Sequence, residues 1–146
     1  MKYAILKHIT AAVLISATPV LATGIALASE AKTEAKTAIP ATSEGIWQAI
    51  DGHVLDMQAM ITTGKMEDIH LHAYAVGDLV RELPGHSLAL SDTERAKVAG
   101  QGKFIDTLAE RLDEAGDGAN KNAAASSLGK LEKVLKMIRA NYAPRP

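Results

Sequence analysis

The 146-residue chain lacks cysteine, has one tryptophan and one phenylalanine, and carries a formal charge of only -1. Without cysteine it forms no disulfide framework, thiolate zinc site, iron–sulfur cluster or covalently attached c-type haem. The nearly balanced charge argues against a general nucleic-acid binder, which would carry a basic excess. No segment alternates apolar and polar residues as a half-buried strand would, so the remaining patterns predict helices in a single domain.

Residues 1–28 have the pattern of a bacterial secretory signal peptide. Two lysines precede an apolar stretch over residues 9–28, which ends in the small-x-small sequence Ala-Leu-Ala. The stretch is nearly long enough to span a membrane, but Pro19 and Gly24 make it a poor anchor. We predict cleavage after Ala28 and export to the periplasm, with no stable membrane anchor afterwards.

Residues 29–43 are predicted to be a flexible linker. The sequence Glu-Ala-Lys-Thr occurs twice in succession over residues 30–37, and Ile39 is the one large apolar residue before Pro40. Such a segment buries too little apolar surface to offset the entropy lost on ordering.

Four apolar stripes with helical spacing predict four helices over about residues 44–63, 65–83, 91–115 and 119–141. A capping box, Ser91-Asp92-Thr93-Glu94, predicts the start of the third helix. Pro84-Gly85 and Gly116-Asp117-Gly118 predict turns on either side of it. Short loops favour antiparallel neighbours, so the predicted fold is all-α: an up-down-up-down four-helix bundle over residues 44–142, followed by a tail at 143–146.

Histidine and methionine side chains concentrate in the first two helices. One helix face carries donors at i, i+4 and i+7, and the next helix carries two at i and i+4. Imidazole and thioether together favour copper, particularly Cu(I). The pattern predicts a metal site formed by His53, Met57, Met60, Met66 and His70. His72 is not included because it lies about 200° around the helix from His70.

Some of these residues also suit a role without a metal, and two familiar metal sites are incomplete. Met57 and Met66 fall on the apolar stripes, where methionine commonly fills a core. A di-iron site needs two Glu-x-x-His motifs, and only the one from Glu67 to His70 is present. The predicted fourth helix has no histidine, so no haem is expected. No nucleophile motif or phosphate-binding glycine loop occurs, and we predict a protein without enzymatic activity.

The predicted bundle resembles small exported four-helix-bundle proteins of proteobacteria that are encoded beside heavy-metal and copper efflux systems. The resemblance covers about residues 44–142. It is carried by IWQAID at 46–51, GKMEDIH at 64–70, DLV at 78–80 continuing to LP at 83–84, and KFI at 103–105 continuing to LAERLD at 108–113. It implies a periplasmic helper in metal homeostasis without an established enzymatic role. The architecture is also similar to the cytochrome b562 and cytochrome c′ bundles, although the haem ligands of both are missing.

The sequence leaves two functions open. In the first, the bundle binds or buffers a transition metal, with copper as the leading candidate. In the second, it is a metal-free accessory module that docks to an envelope protein, and its histidines are incidental. A protein that ignores every metal but co-purifies with one envelope partner would favour the second.

Overall fold

The computed structural model describes residues 37–87 and 90–142, and within these ranges it contains helices and no strand. The α-helices are α1 (Ser43–Thr63), α2 (Ile69–Glu82), α3 (Asp92–Asp117) and α4 (Lys121–Arg139), and a 3-10 turn (Leu83–His86) follows α2. The all-α prediction is confirmed for this part of the chain. The predicted signal peptide, the linker up to residue 36 and the tail at 143–146 lie outside the described residues.

Two helix starts match their sequence signals. The Thr42 side chain accepts a hydrogen bond from the backbone N–H of Gly45, so α1 begins within one residue of its predicted start. At α3, Ser91 and Glu94 form the predicted capping box, with each side chain bonded to the other residue's backbone N–H. The turn after α1 uses Gly64 at a φ of 78°, a left-handed conformation that glycine adopts without a Cβ clash.

The predicted start of the second helix at residue 65 is wrong by four residues, because α2 begins at Ile69. Residues 64–68 instead form a non-helical connection that places Met66 in the core, where it is 2% exposed. Met66 fits the apolar stripe equally well from a connection or from a helix, so periodicity alone could not separate the two.

The predicted turn at Gly116-Asp117-Gly118 is also displaced, because α3 continues through Asp117. Only Gly118 and the two residues after it connect α3 to α4. The Asn120 side chain accepts a hydrogen bond from the backbone N–H of Ala123, so α4 begins at Lys121. It ends at Arg139, two residues before its predicted end.

The helices enclose one aliphatic core. α1 packs against α2 and α4, and α3 packs against α2 and α4. Polar contacts also join α1 to α4: Arg139 pairs with Asp51 at 2.6 Å, and Gln58 donates to Glu132 at 2.6 Å. None of the described helices is both long enough and apolar enough to cross a membrane. The largest fully buried side chains are Ile46, Ile50, Met57, Ile69, Leu79, Leu83, Ile105, Leu112, Leu131, Ile138, Val76 and Val80.

The last part of the predicted linker makes two contacts with the helical domain. The Thr37 hydroxyl donates to the Asp78 carboxylate at 2.9 Å. His86 Nδ1 donates to the backbone carbonyl of Ala41 at 3.0 Å. Together they hold residues 37–42 against α2 and the 3-10 turn.

Candidate metal centre

Three metal-ligand side chains meet where α1 packs against α2. His53 and Asp56 stand three residues apart on α1, so they share one side of that helix. His72 lies in the first turns of α2. One ligand atom from each residue lies within 4.8 Å of the other two. Among the described residues, this is the one group of at least three histidine or carboxylate side chains arranged closely enough to hold an ion.

The two imidazole rings face each other through the same type of nitrogen. His53 Nδ1 lies 3.0 Å from His72 Nδ1, and one of these nitrogens donates a hydrogen bond to the other. The ring centroids are 5.2 Å apart and the planes meet at 65°. Two nitrogen ligands of a tetrahedral ion are about 3.3 Å apart, given bonds of about 2.0–2.1 Å. For a metal ion to replace the shared proton, the two nitrogens must move slightly apart and both rings must turn toward the ion.

Asp56 completes the group with a negative charge. Its Oδ2 lies 3.5 Å from His72 Nδ1. The Asp56 side chain is 61% exposed and that of His72 is 22% exposed, so the group opens to solvent on the carboxylate side. A metal ion could enter from that side without any helix moving.

Burial and charge both act on His53. Partial burial lowers the pKa of its imidazole below 6.5, and the neighbouring His72 lowers it further, while Asp56 raises it. A metal ion binds the neutral ring, so a lowered pKa keeps His53 available for binding under mildly acidic conditions.

The same environment predicts a pH-dependent stability of the metal-free protein. In the unfolded chain the His53 imidazole has its ordinary pKa, so below pH 6.5 the unfolded state binds a proton that the folded state resists. Unfolding free energy is therefore expected to fall as the pH falls through this value. Wild type should lose more stability than His53→Gln between about pH 7.5 and about pH 5.5 in urea unfolding followed by circular dichroism. Equal losses of stability in both proteins would contradict a lowered pKa of His53 in the folded state.

The five ligands predicted from the sequence are distributed over different environments. His53 belongs to the three-residue group described above. Met57 is fully buried and Met66 is 2% exposed, and both are part of the hydrophobic core. His70 is 5% exposed, and its Nδ1 donates to the backbone carbonyl of Glu67 at 3.1 Å.

Met60 lies on the rim of the site. It lines a surface depression of about 590 Å³ together with Asp56 and His72. Glu67, Asp68 and Lys65 line the same depression, so three carboxylates and one ammonium group surround it. The resulting negative potential favours the approach of a cation.

Asp56 and His72 were not among the ligands predicted from the sequence. His72 was excluded because it does not share a helix face with His70, whereas the structure pairs it with His53 on α1. The predicted five-residue site also assumed that the second helix begins at residue 65, whereas α2 begins at Ile69. Sequence spacing provides no signal for this pairing, since His53 and Asp56 lie 11 and 8 residues before the connection at 64–68, whereas His72 lies four residues after it.

Comparisons with known proteins give no family assignment. No protein-family model matches the chain, and no curated protein or solved structure matches it. The resemblance to exported bundle proteins of metal-efflux loci therefore stays a prediction.

Proposed function

We propose that this protein binds a divalent transition-metal ion through His53, Asp56 and His72, with Cu(II) as the leading candidate. Its role would be to bind or buffer the metal in the periplasm without catalysing a reaction. The observation that carries the proposal is the convergence of two imidazole nitrogens and a carboxylate oxygen within 4.8 Å of one another.

The donor set supports a first-row transition metal. Imidazole nitrogen suits copper, zinc and nickel, whereas magnesium and calcium prefer oxygen ligands throughout. For a given nitrogen and oxygen site, affinity among the divalent ions peaks at Cu(II). Three protein ligands would leave a coordination position for water or an incoming donor, and the exposure of Asp56 supports access to it from solvent.

The proposal also includes a periplasmic location, which the sequence supports, and an up-down-up-down bundle, which the helix contacts support. The lysine-containing leader with its apolar stretch over residues 9–28 supports periplasmic location. The contacts of α1 with α4 support an up-down-up-down bundle: Asp51 pairs with Arg139, whereas Thr62, later in α1, accepts from Lys121, at the start of α4. The short connections at 64–68 and 118–120 also favour antiparallel neighbours.

Calorimetric titration of the purified protein with Cu(II), Zn(II) and Ni(II) tests this function, with circular dichroism to confirm folding. We expect one equivalent of Cu(II) to bind. His72→Gln should weaken binding by about tenfold or more, since even outer-shell substitutions cost this much in metal sites. His86→Gln is the matched control, because His86 contacts Ala41 and lies outside the ligand group.

The outcomes separate the alternatives. Absence of stoichiometric binding by a folded protein would overturn the proposal and favour the accessory module that docks to an envelope protein. Weaker binding in Met57→Leu with unchanged binding in His72→Gln would instead favour the ligand set predicted from the sequence. Equal weakening in His72→Gln and His86→Gln would also overturn it, because copper would then attach unspecifically to surface imidazoles.

A further inference from the structure

The depression beside the three-residue group contains a second kind of donor. Met60 lines it together with Asp56 and His72. The residues His53, Asp56 and Met60 follow one another along α1 at steps of three and four, so they lie along one side of the helix. Met60 stands about 6 Å along the axis from Asp56, at about 1.5 Å per residue.

Met60 differs from the two other methionines of this region in its freedom to move. Met57 and Met66 are enclosed in the core, whereas Met60 is only partly buried and packs on the core's edge. A methionine side chain has three rotatable bonds, and it can turn its sulfur toward a neighbouring ion at low cost.

The oxygen donor and the sulfur donor suit different oxidation states of copper. A carboxylate is a hard, charged ligand that favours a divalent ion, whereas a thioether is a soft, neutral ligand that favours Cu(I). The two imidazoles accept either state. The histidine pair thus has a donor for Cu(II) in Asp56 and, about one helical turn farther along α1, a donor for Cu(I) in Met60.

Resting on the metal-binding function proposed above, we propose that the same site also binds Cu(I), with the Met60 thioether replacing the Asp56 carboxylate as the ligand beside His72. The protein then holds copper in whichever oxidation state is delivered to it. The inference concerns binding alone and includes no electron transfer.

Two substitutions with opposite expected effects test this inference. Cu(I) affinity is measured without oxygen by competition with a chromogenic Cu(I) chelator, and Cu(II) affinity is measured by calorimetry. Met60→Leu should weaken Cu(I) binding by about tenfold or more and leave Cu(II) binding within about threefold of wild type. Asp56→Asn should show the reverse pattern.

Met137→Leu is the matched control. Met137 is 52% exposed on α4, so it reports any Cu(I) attached to a surface methionine outside the site. We expect both copper affinities of this variant to equal those of wild type. X-ray absorption of the Cu(I) protein should show a sulfur ligand that is absent from Met60→Leu.

The failures of the two proposals are distinguishable. If wild type binds Cu(II) but not Cu(I), or if Met60→Leu binds Cu(I) as tightly as wild type does, this inference is overturned and the divalent site stands. If wild type binds neither ion, both proposals fail. Equal weakening of both oxidation states in Met60→Leu also overturns it, because Met60 would then act through the packing of α1.

Discussion

Gly116→Ala is expected to lower the free energy of unfolding by about 2 kcal/mol, because a Cβ at this position has no room. It would lie 2.6 Å from Cγ2 of Ile69 and 2.8 Å from the backbone carbonyl oxygen of Met66. A backbone oxygen cannot turn aside as a flexible side chain can. Overpacking of this kind costs roughly 1–3 kcal/mol, which exceeds the gain of up to about 1 kcal/mol in helix propensity.

The control is Gly100→Ala on the same helix. Gly100 is exposed, and a Cβ there meets nothing within 4 Å. This variant is expected to be neutral or more stable by up to about 1 kcal/mol, the ordinary preference of a helix interior for alanine. Urea unfolding followed by circular dichroism measures both. Equal stabilities of the two variants would show that α3 does not approach the connection at 64–68 this closely.

Metal binding is expected to produce the other large change in stability. An ion that binds the folded protein alone stabilises it by about 2.7 kcal/mol when its free concentration is about 100 times the dissociation constant. The ion is expected to bind only the folded protein, because His53 and His72 come from different helices and meet only after folding. Wild type should therefore unfold at a higher urea concentration with Cu(II) than with a chelator.

The double variant His53→Gln/His72→Gln is expected to lose this stabilisation. Its metal-free stability should remain close to that of wild type at neutral pH, since both rings are only partly buried. His86→Gln should retain the full effect of the metal. An equal shift in the double variant and in wild type would mean that copper stabilises the fold through other residues.

The sequence predicted the helices because local periodicity reports which residues face a core. The predicted apolar stripe of α1 packs in the core, with Ile46, Ile50, Met57 and Ile61 buried and Val54 partly buried. The capping box at Ser91 marks the start of α3. Periodicity does not identify the backbone conformation where a helix and a connection would bury the same residue. Met66 is buried although it lies in a connection, and Gly116 was predicted to begin a turn although it lies in the last turn of α3.

The candidate site was predicted only in part. The hairpin of α1 and α2 was identified from its donors, and His53 is among the three residues that the structure brings together. The partner of His53 could not be predicted, because it depends on how far α2 is displaced along α1. Helix geometry relates positions on one helix to one another and gives no relation between two helices.

By itself, the sequence determined that this chain forms amphipathic helices around an aliphatic core, because the 3.6-residue repeat is a local property. It also determined that imidazole and thioether side chains are concentrated in α1 and α2. Only the tertiary structure decided which of them meet. Because residues 64–68 form a connection, α2 begins only at Ile69. Gly116 has no Cβ, so α3 approaches that connection closely. Packing thereby sets the position of α2 along α1, and with it the pairing of His53 with His72.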